Sequence, residues 1–510
     1  MNIEKEIYDH LCFFDGAMGT TLQQKGLKTG EIPEKLNFTH PELIKSIHQE
    51  YSEAGAEMIK TNTFGANKYK LHPTGLEVEK TIAQAIKLAR EGAKGKLIAL
   101  DIGPIGQMLA PVGPLDFDEA YEMFKEQILA GVKYGVDLVL IETISDLYEA
   151  KAAILAAKEN SSLPVFCTMT FQEDGRTLTG TDPETLVSVI EGLGVTALGV
   201  NCSLGPGEIY PIVEQIMQYT SIPVIVQPNA GLPVLKDGKT EFLITPEQYV
   251  TQMTKILDLG VHIIGGCCGT TPEFIRQMVS KFKNFTPPPV RSQLRTTCAS
   301  PCHTVEIGKD IVIIGERINP TGKKQVKEAL KAGNLDYLLQ EGIRQKEAGA
   351  HVLDVNVGLP DIDEIEMLPR ISRELQEILD IPLQFDSSNI EALEKACRYY
   401  NGKPIINSVN GKTSSMEKLF PIAKKYGCLM VALCLDERGL PKSVQDRIEI
   451  AEKLISTAQK YGIPKEFLLI DCLTLTASAQ QQAVNDSLEA MRQLTEKYQV
   501  VTVLGASNVS

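Results

Sequence analysis

Two adjacent cysteines end an apolar run in residues 262–274, which read HIIGGCCGTTPEF. Side chains alternate between the two faces of an extended strand, so neighbouring cysteines there normally point in opposite directions. Cys267 and Cys268 could form a vicinal disulfide, pack as two small buried residues, or bind one metal ion together. The glycines at 265, 266 and 269 favour metal binding, because glycine lets the backbone leave strand geometry and turn both sulfurs the same way.

A third cysteine lies in an equivalent place, since Cys202 follows the apolar run ALGVN at 197–201. Three thiolates with no fourth cysteine nearby would leave a tetrahedral Zn²⁺ with one open position, as in catalytic zinc sites. Zinc held by three thiolates is electron-rich, so its predicted substrate is another thiol, bound as the reactive thiolate. Other cysteines inside apolar runs are interpreted as packing residues: Cys167, Cys428 and Cys434.

Repeated strands and helices must position these thiols. Helix patterns such as residues 41–55, with an apolar face, separate short apolar runs. Before residue 283 there are eight such runs: CFFD, EMIKTN, LIALDIG, DLVLIE, VFCTMT, ALGVNC, PVIVQPN and HIIGGCC. Eight alternations with strands apolar on both faces predict a closed (β/α)₈ barrel, with a doubly wound open sheet as the alternative.

The same rhythm restarts in the second half of the chain. It has seven apolar runs: IVIIGERIN, HVLDVNVG, LQFDSS, PIINSVNG, LMVALCLD, LLIDCLT and VTVLGASN. The predicted fold is therefore α/β, with two TIM-type barrels in tandem and the second truncated before its eighth strand. A stretch rich in Pro, Ser and Thr without apolar periodicity separates the halves, which predicts a first barrel at 1–285, a linker at 286–307 and a second barrel at 308–510.

Composition limits the possible partners. The net charge of −14 and a pI near 5.2 argue against nucleic acid and membrane surfaces, which attract basic patches. The N-terminus does not resemble a signal peptide, and eleven scattered cysteines suit a reducing compartment, so we expect a cytoplasmic protein.

Three motifs of the first half resemble the homocysteine S-methyltransferase family: FDGAMGT at 14–20, GVNCS at 199–203 and GGCCGT at 265–270. The resemblance implies a (β/α)₈ barrel in which Cys202, Cys267 and Cys268 bind Zn²⁺ and activate homocysteine. It also implies that Asp15 and Glu142 hold the amino group of homocysteine, with Gly16 beside them. Asn229, at the seventh strand end, is a candidate fourth zinc ligand from its position alone.

The second half resembles the pterin-binding methyltransferases and dihydropteroate synthases, through GERINPTG, FDSS, INSV, DCLT and LGASNVS. The resemblance implies a site for the pterin ring of methyltetrahydrofolate. Its residues would be Asp386, Asn407, Asp471 and Asn508, with Glu316 and Asn319 as weaker candidates. Asn508 is also a candidate to deliver a proton to N5 of the folate through water. Arg317, Lys323 and Lys324 could meet the anionic folate tail, although a solvated charged loop is the simpler interpretation.

The tandem order of the two halves resembles the N-terminal half of the cobalamin-dependent methionine synthases. This resemblance implies methyl transfer from methyltetrahydrofolate to cobalamin, and then to zinc-bound homocysteine. Cobalamin would be bound by another domain or subunit, because no DxHxxG motif occurs in the chain. Alternatives are a homocysteine methyltransferase with a sulfonium or betaine donor, a pterin synthase, and a non-catalytic protein that binds zinc or pterin.

Overall fold

The computed structural model describes residues 3–28, 30–236, 239–291, 294–474 and 481–506. The chain divides into two compact units, residues 1–293 and 294–510. No helix within the described ranges is both long and apolar enough to cross a membrane.

The first unit contains ten strands: β1 Cys12–Phe13, β2 Met58–Lys60, β3 Leu97–Ile102, β4 Leu138–Ile144, β5 Val165–Met169, β6 Ala197–Asn201, β7 Val224–Gln227, β8 Pro233–Lys236, β9 Lys239–Phe242 and β10 Ile263–Ile264. Eight of them form one parallel sheet in the order β1-β10-β7-β6-β5-β4-β3-β2, and β8 and β9 form a separate antiparallel hairpin. A parallel bridge between Phe14 and Met58 joins β1 to β2 and closes the barrel.

The helices of the first unit are Ile3–Asp9, Gly19–Gln24, Leu36–Thr39, Pro41–Glu53, Lys68–Leu71, Val78–Gly92, Phe117–Tyr134, Leu147–Asn160, Pro183–Gly192, Pro206–Tyr219, Pro246–Asp258 and Pro272–Phe282, with short 3₁₀ turns at Pro33–Lys35 and His72–Thr74. The helix Pro41–Glu53 buries Ile44, Ile47 and Tyr51 as its pattern predicts, and also His48. Apolar side chains fill the barrel, and Ile3 and Ile7 of the first helix pack into the same core.

The second unit contains nine strands: β11 Thr297–Ala299, β12 Thr304–Glu306, β13 Ile314–Ile318, β14 Val352–Val355, β15 Leu383–Asp386, β16 Ile405–Asn410, β17 Leu429–Leu433, β18 Leu468–Asp471 and β19 Val501–Val503. Strands β13 to β19 form a parallel sheet in chain order. The helices are Lys324–Ala332, Leu335–Glu347, Glu364–Ile378, Ile390–Tyr399, Thr413–Tyr426, Val444–Lys460 and Gln481–Tyr498, with a 3₁₀ turn at Lys465–Phe467.

Two tandem barrel-like sheets, the second with seven strands in its described residues, confirm the predicted fold class. Part of the predicted linker is ordered, because β11 and β12 pair as an antiparallel hairpin. Cys298 and Val305 of this hairpin join the core that Ile405 and Leu429 form in the second sheet. Each strand of the hairpin has only three residues, which is too short for a periodic signal.

Candidate functional site

The three cysteines converge at the carboxyl end of the first barrel. Their sulfur atoms lie within 4.8 Å of one another, and the Sγ atoms of Cys202 and Cys268 are 3.9 Å apart. Tetrahedral zinc with Zn–S bonds of about 2.3 Å requires sulfurs about 3.8 Å apart. The geometry and the donor set therefore fit a Zn²⁺ ion with three protein thiolates.

The chain reaches this arrangement by leaving strand geometry at both strand ends. Strand β10 stops at Ile264, and a Cβ atom added at Gly266 would lie 2.3 Å from Oγ1 of Thr270. Only glycine allows this close approach, which lets Cys267 and Cys268 lie in a turn instead of on opposite faces of a strand. Cys202 has a φ of 62°, a left-handed conformation that is uncommon for residues other than glycine.

The end of β7 and the residues that follow it form hydrogen bonds with both cysteine segments. The amide of Cys202 donates to the carbonyl of Gln227, at 3.1 Å, and the amide of Cys267 donates to the carbonyl of Pro228, at 2.9 Å. The carbonyl of Cys268 accepts from the amide of Ala230, at 2.9 Å. Asn229, in the same segment, is 3% exposed, and its Oδ1 has no hydrogen-bond partner among the described residues. This buried oxygen fits a role as a metal ligand.

The charge states of the thiols show why a cation belongs here. Hydrogen bonds from Cys267 and Cys268 lower the pKa of the Cys202 thiol to about 3. The hydrogen bond to Cys202 raises the pKa of Cys267 to about 12, and bonds to Cys202 and Cys267 raise the pKa of Cys268. Of the three sulfurs, only that of Cys202 is favoured as a thiolate by itself, and a bound metal ion would favour the thiolate form of all three.

Asn201, at the end of β6, contacts the cysteine cluster through its side-chain amide. Its Nδ2 lies 3.8 Å from Sγ of Cys267 and donates to Oγ1 of Thr143, at 2.7 Å. Its Oδ1 accepts from the amide of Thr143, at 2.8 Å, and from Oγ1 of Thr168, at 2.9 Å. Asn201 is fully buried, so these bonds fix the amide that faces the sulfur.

A cavity of about 430 Å³ opens beside the sulfurs. Glu142, which we predicted to bind the substrate ammonium, lines it together with Lys60, Asp101 and all three cysteines. Lys60 Nζ lies 3.5 Å from Oε2 of Glu142 and 3.9 Å from Oδ1 of Asp15. Asp15 is absent from the cavity lining, and its Oδ2 accepts from the amide of Lys60, at 3.0 Å.

Gly16 is packed too tightly for a side chain, because an added Cβ would lie 2.7 Å from Oγ1 of Thr270.

The acidic groups of this cavity are strongly perturbed. Burial raises the pKa of Asp15 to about 7 and raises the pKa of Glu142 and Asp101. Burial alone would lower the pKa of Lys60, but the charges of Glu142 and Asp15 outweigh burial and leave that pKa raised. Lys60 is therefore a charged ammonium 5% exposed to solvent. Our sequence reasoning missed Lys60, although a lysine at the end of the apolar run EMIK was a detectable signal.

Of the predicted pterin residues of the second unit, Asp386 and Asp471 are the last residues of their strands, and Asn407 lies inside β16. Asp386 ends β15, where its Oδ2 accepts from Nδ2 of Asn356, at 2.8 Å. Asn407 lies in β16, and its Nδ2 is 3.4 Å from Oδ1 of Asp354. Asp471 ends β18, and its Oδ1 accepts from the amide of Leu473, at 2.8 Å.

Asp354 and Asn356 were not predicted from the sequence as site residues. Asp354 is 4% exposed and accepts from Nε2 of Gln384, at 2.6 Å. Burial, and then the charge of Asp386, raise the pKa of Asp354 to about 7. The run HVLDVNVG contains both residues, and a carboxylate inside a buried strand was the signal.

The remaining predicted folate residues differ in position. Glu316 is exposed on β13, and Asn319 caps a turn by accepting from the amide of Thr321, at 2.8 Å. Arg317 pairs with Glu341 at 3.3 Å, and Lys324 pairs with Glu328 at 3.7 Å. Lys323 donates to the carbonyl of Glu316. Asn508 lies outside the described residues.

A second group of possible ligands, His10, Cys12 and Glu57, lies at the other end of β1. Burial and the charge of Glu57 raise the pKa of Cys12 to about 12, so this sulfur remains a thiol. Oε2 of Glu57 already accepts from the amide of Phe13, at 3.1 Å. The group is consistent with local packing.

Comparisons with known proteins match a different family model to each half of the chain. A family model described as Homocysteine S-methyltransferase matches residues 12–282, and one described as Pterin binding enzyme matches residues 315–510. Two proteins named Methionine synthase, from Mycobacterium leprae and Mycobacterium tuberculosis, are 31% and 32% identical over 97% of this chain. The chain spans only 44% of the length of either relative.

Among solved structures, the metallated homocysteine methyltransferase MmuM from Escherichia coli aligns with a TM-score of 0.47 and 23% identity. The alignment covers 53% of this chain and 96% of that one. The apo form of the same enzyme aligns with a TM-score of 0.44 and 22% identity, over 55% and 98% of the two chains.

Proposed function

Because the chain belongs to the homocysteine S-methyltransferase family, we propose that its first barrel binds homocysteine on zinc and presents the thiol for methylation. The observation that carries this proposal is the convergence of Cys202, Cys267 and Cys268 beside a cavity large enough for an amino acid. The second barrel would bind methyltetrahydrofolate, the source of the methyl group.

Zinc would be held by the three cysteine sulfurs, with Asn229 as the candidate ligand when the substrate is absent. When bound, the metal supplies one chemical function, which is to keep the homocysteine sulfur as a thiolate near neutral pH. The protein residues do the rest. Asn201 orients Cys267 through its side-chain amide.

Glu142 and Asp101 are placed to receive the α-ammonium of homocysteine. Both line the cavity, and Oδ1 of Asp101 is buried without a hydrogen-bond partner among the described residues. An ammonium group requires acceptors of this kind, and its charge would favour the ionised form of both carboxylates. Asp15 remains a predicted contact of the ammonium, because its Oδ1 is also buried without a hydrogen-bond partner among the described residues, while its Oδ2 holds the backbone of Lys60.

The second barrel carries a different recognition surface. A pterin ring has an amide-like edge of donors and acceptors, which carboxylates and carboxamides can pair with. Asp386, Asn407 and Asp471 offer such groups from β15, β16 and β18. Asp354 holds the position of Asn407. Glu316, Asn319 and Asn508 remain predicted contacts.

The two sites would exchange the methyl group through cobalamin, carried by another domain or subunit. The support for this step is the likeness to the two methionine synthases over the whole tandem, together with the two unlike sites. Methyl transfer would then run from methyltetrahydrofolate to cobalamin and from cobalamin to homocysteine, giving methionine and tetrahydrofolate.

The test is to supply the zinc-loaded chain with free cobalamin and to follow its absorbance. We expect demethylation of methylcobalamin by homocysteine, and methylation of reduced cobalamin by methyltetrahydrofolate. Turnover of homocysteine with a sulfonium or betaine donor, but not with methylcobalamin, would establish the alternative donor class. Binding of zinc and folate without either half-reaction would leave a non-catalytic binding protein.

A further inference from the structure

The first barrel contains a buried ammonium group whose donors are not all used. Lys60 ends β2, and its Nζ makes one hydrogen bond of 3.5 Å to Glu142, while Asp15 lies beyond hydrogen-bond distance at 3.9 Å. A lysine ammonium has three N–H donors. Among the described residues nothing else accepts from it, and unfilled donors at a site 5% exposed are costly.

A second lysine that lines the same cavity has a hydrogen-bond acceptor for its ammonium group. Lys70 Nζ donates to the carbonyl of Pro104 at 2.7 Å and lies 5.2 Å from the centre of the Phe64 ring. Of these two cavity-lining lysines, Lys60 is therefore the one with donors available for a ligand.

We propose that Lys60 binds the α-carboxylate of the amino-acid substrate and so makes the site selective for a zwitterionic thiol. This inference rests on the proposed function. The α-ammonium and α-carboxylate of an amino acid are attached to one carbon, so the groups that bind them must be neighbours. Glu142 and Lys60 are such a pair, because both line the cavity and Nζ of Lys60 lies 3.5 Å from Oε2 of Glu142.

A carboxylate that leaves water for a buried site needs a cation or hydrogen-bond donors in place of the water. The acidic side chains of the cavity lining, Asp101 and Glu142, are not cations. Lys60 supplies the cation while its backbone stays fixed, because the amide of Lys60 donates to Asp15. The side chain can thus turn from Glu142 towards a ligand without disturbing β2.

The experiment compares three thiols by calorimetric titration into the zinc-loaded full chain and its Lys60→Met variant. L-homocysteine has both head groups, 3-aminopropane-1-thiol lacks the carboxylate, and 4-mercaptobutanoate lacks the amine. We expect Lys60→Met to weaken homocysteine and 4-mercaptobutanoate binding by about tenfold to a hundredfold, and to leave 3-aminopropane-1-thiol unchanged within about twofold. Metal analysis of each sample checks that zinc content is equal.

Two further variants control for general damage. Lys70→Met changes the other cavity lysine and should not separate the carboxylate-bearing thiols from 3-aminopropane-1-thiol. Glu142→Gln should give the converse selectivity, with weaker binding of the two thiols that carry an amine. Equal weakening of all three thiols by Lys60→Met would overturn the role of Lys60 while the proposed function stands. Failure of every thiol to bind the unmodified zinc protein would overturn both proposals.

Discussion

The two barrels place polar side chains at the same end of their strands but bury them to different depths. In the first barrel, Asp15, Lys60, Asp101 and Glu142 are each no more than 5% exposed. In the second, Asp386, Asn407 and Asp471 are half-buried and Glu316 is exposed. The first site is a buried cluster of acidic side chains and one lysine beside three sulfurs, whereas the second is a half-buried set of hydrogen-bonding groups.

This difference follows from how each site is built. The cysteines lie in turns after the strands, where Gly266 and the left-handed conformation of Cys202 bring distant segments together. The polar groups of the second site lie within the strands or at their last residues, so the sheet itself spaces them. A metal requires converging ligands, and a flat heterocycle requires a spread of donors and acceptors.

The largest expected effect separates the two sites completely. Cys268→Ala should reduce zinc affinity by at least about a hundredfold and abolish demethylation of methylcobalamin by homocysteine, because the remaining ligands cannot replace a thiolate. Binding of methyltetrahydrofolate should not change. Metal analysis, the cobalamin absorbance assay and a folate titration on one preparation measure all three quantities.

The matched control is Cys167→Ala, which removes a buried thiol of β5 that is not in the cluster. This variant should keep full zinc content, although it should lose some stability to the small cavity. Full zinc retention by Cys268→Ala would contradict the metal site, and loss of folate binding by the same variant would contradict the independence of the two barrels.

The second barrel should show a pH dependence that comes from Asp354. Its pKa is near 3.8 in the unfolded chain and about 7 in the folded protein, because burial and then the charge of Asp386 disfavour the carboxylate. The folded state therefore holds this proton more tightly. The contribution of Asp354 to the free energy of unfolding is therefore complete below about pH 4. As the pH rises to about 7, this contribution is lost, and the free energy of unfolding falls by up to about 4 kcal/mol.

Asp354→Asn should remove this pH dependence from the free energy of unfolding of the second unit. Urea unfolding of the full chain, followed by pulsed amide exchange and mass spectrometry, reports the two units separately. Peptides of the first unit serve as the internal control and should respond alike in both proteins. If the free energy of unfolding reported by β14 and β15 changed with pH equally in the variant and the parent, Asp354 would be ionised in the folded state.

A smaller effect is expected from a single carboxylate at the open mouth of the second barrel. Asp386→Asn should weaken methyltetrahydrofolate binding by about tenfold to a hundredfold, because a hydrogen bond to a charged group contributes about 1.5–3 kcal/mol. Zinc content should not change. The control is Asp380→Asn, the same substitution just before β15, where Asp380 pairs with Lys346. Equal losses in the two variants would place the pterin ring elsewhere.

The fold and the convergence of the three cysteines were predictable from the sequence because their signals are local or repeated. The apolar runs mark the barrel strands, and the Cys-Cys pair with its flanking glycines marks a turn at a strand end. Lys60 was missed because its role depends on Asp15 and Glu142, which are 45 and 82 residues away in the chain. Asp354 was missed for the same reason, because only the folded sheet brings it to Gln384 and Asn407.

The smallest expected effect tests a neutral hydrogen bond in the second barrel. Nδ2 of Asn407 donates one hydrogen bond to Oδ1 of Asp354, and at 3.4 Å this bond is long. The second Nδ2 hydrogen and Oδ1 of Asn407 are available to a ligand. Asn407→Ala should weaken methyltetrahydrofolate binding only severalfold, since a neutral hydrogen bond contributes about 1 kcal/mol. Demethylation of methylcobalamin by homocysteine should continue at the parent rate. Asn401→Ala, on the segment that leads into β16, provides the control and should bind folate normally. A hundredfold loss in Asn407→Ala would instead show that Asn407 acts with Asp354 as one unit, because removing one member of such a pair leaves a buried carboxylate without its partner.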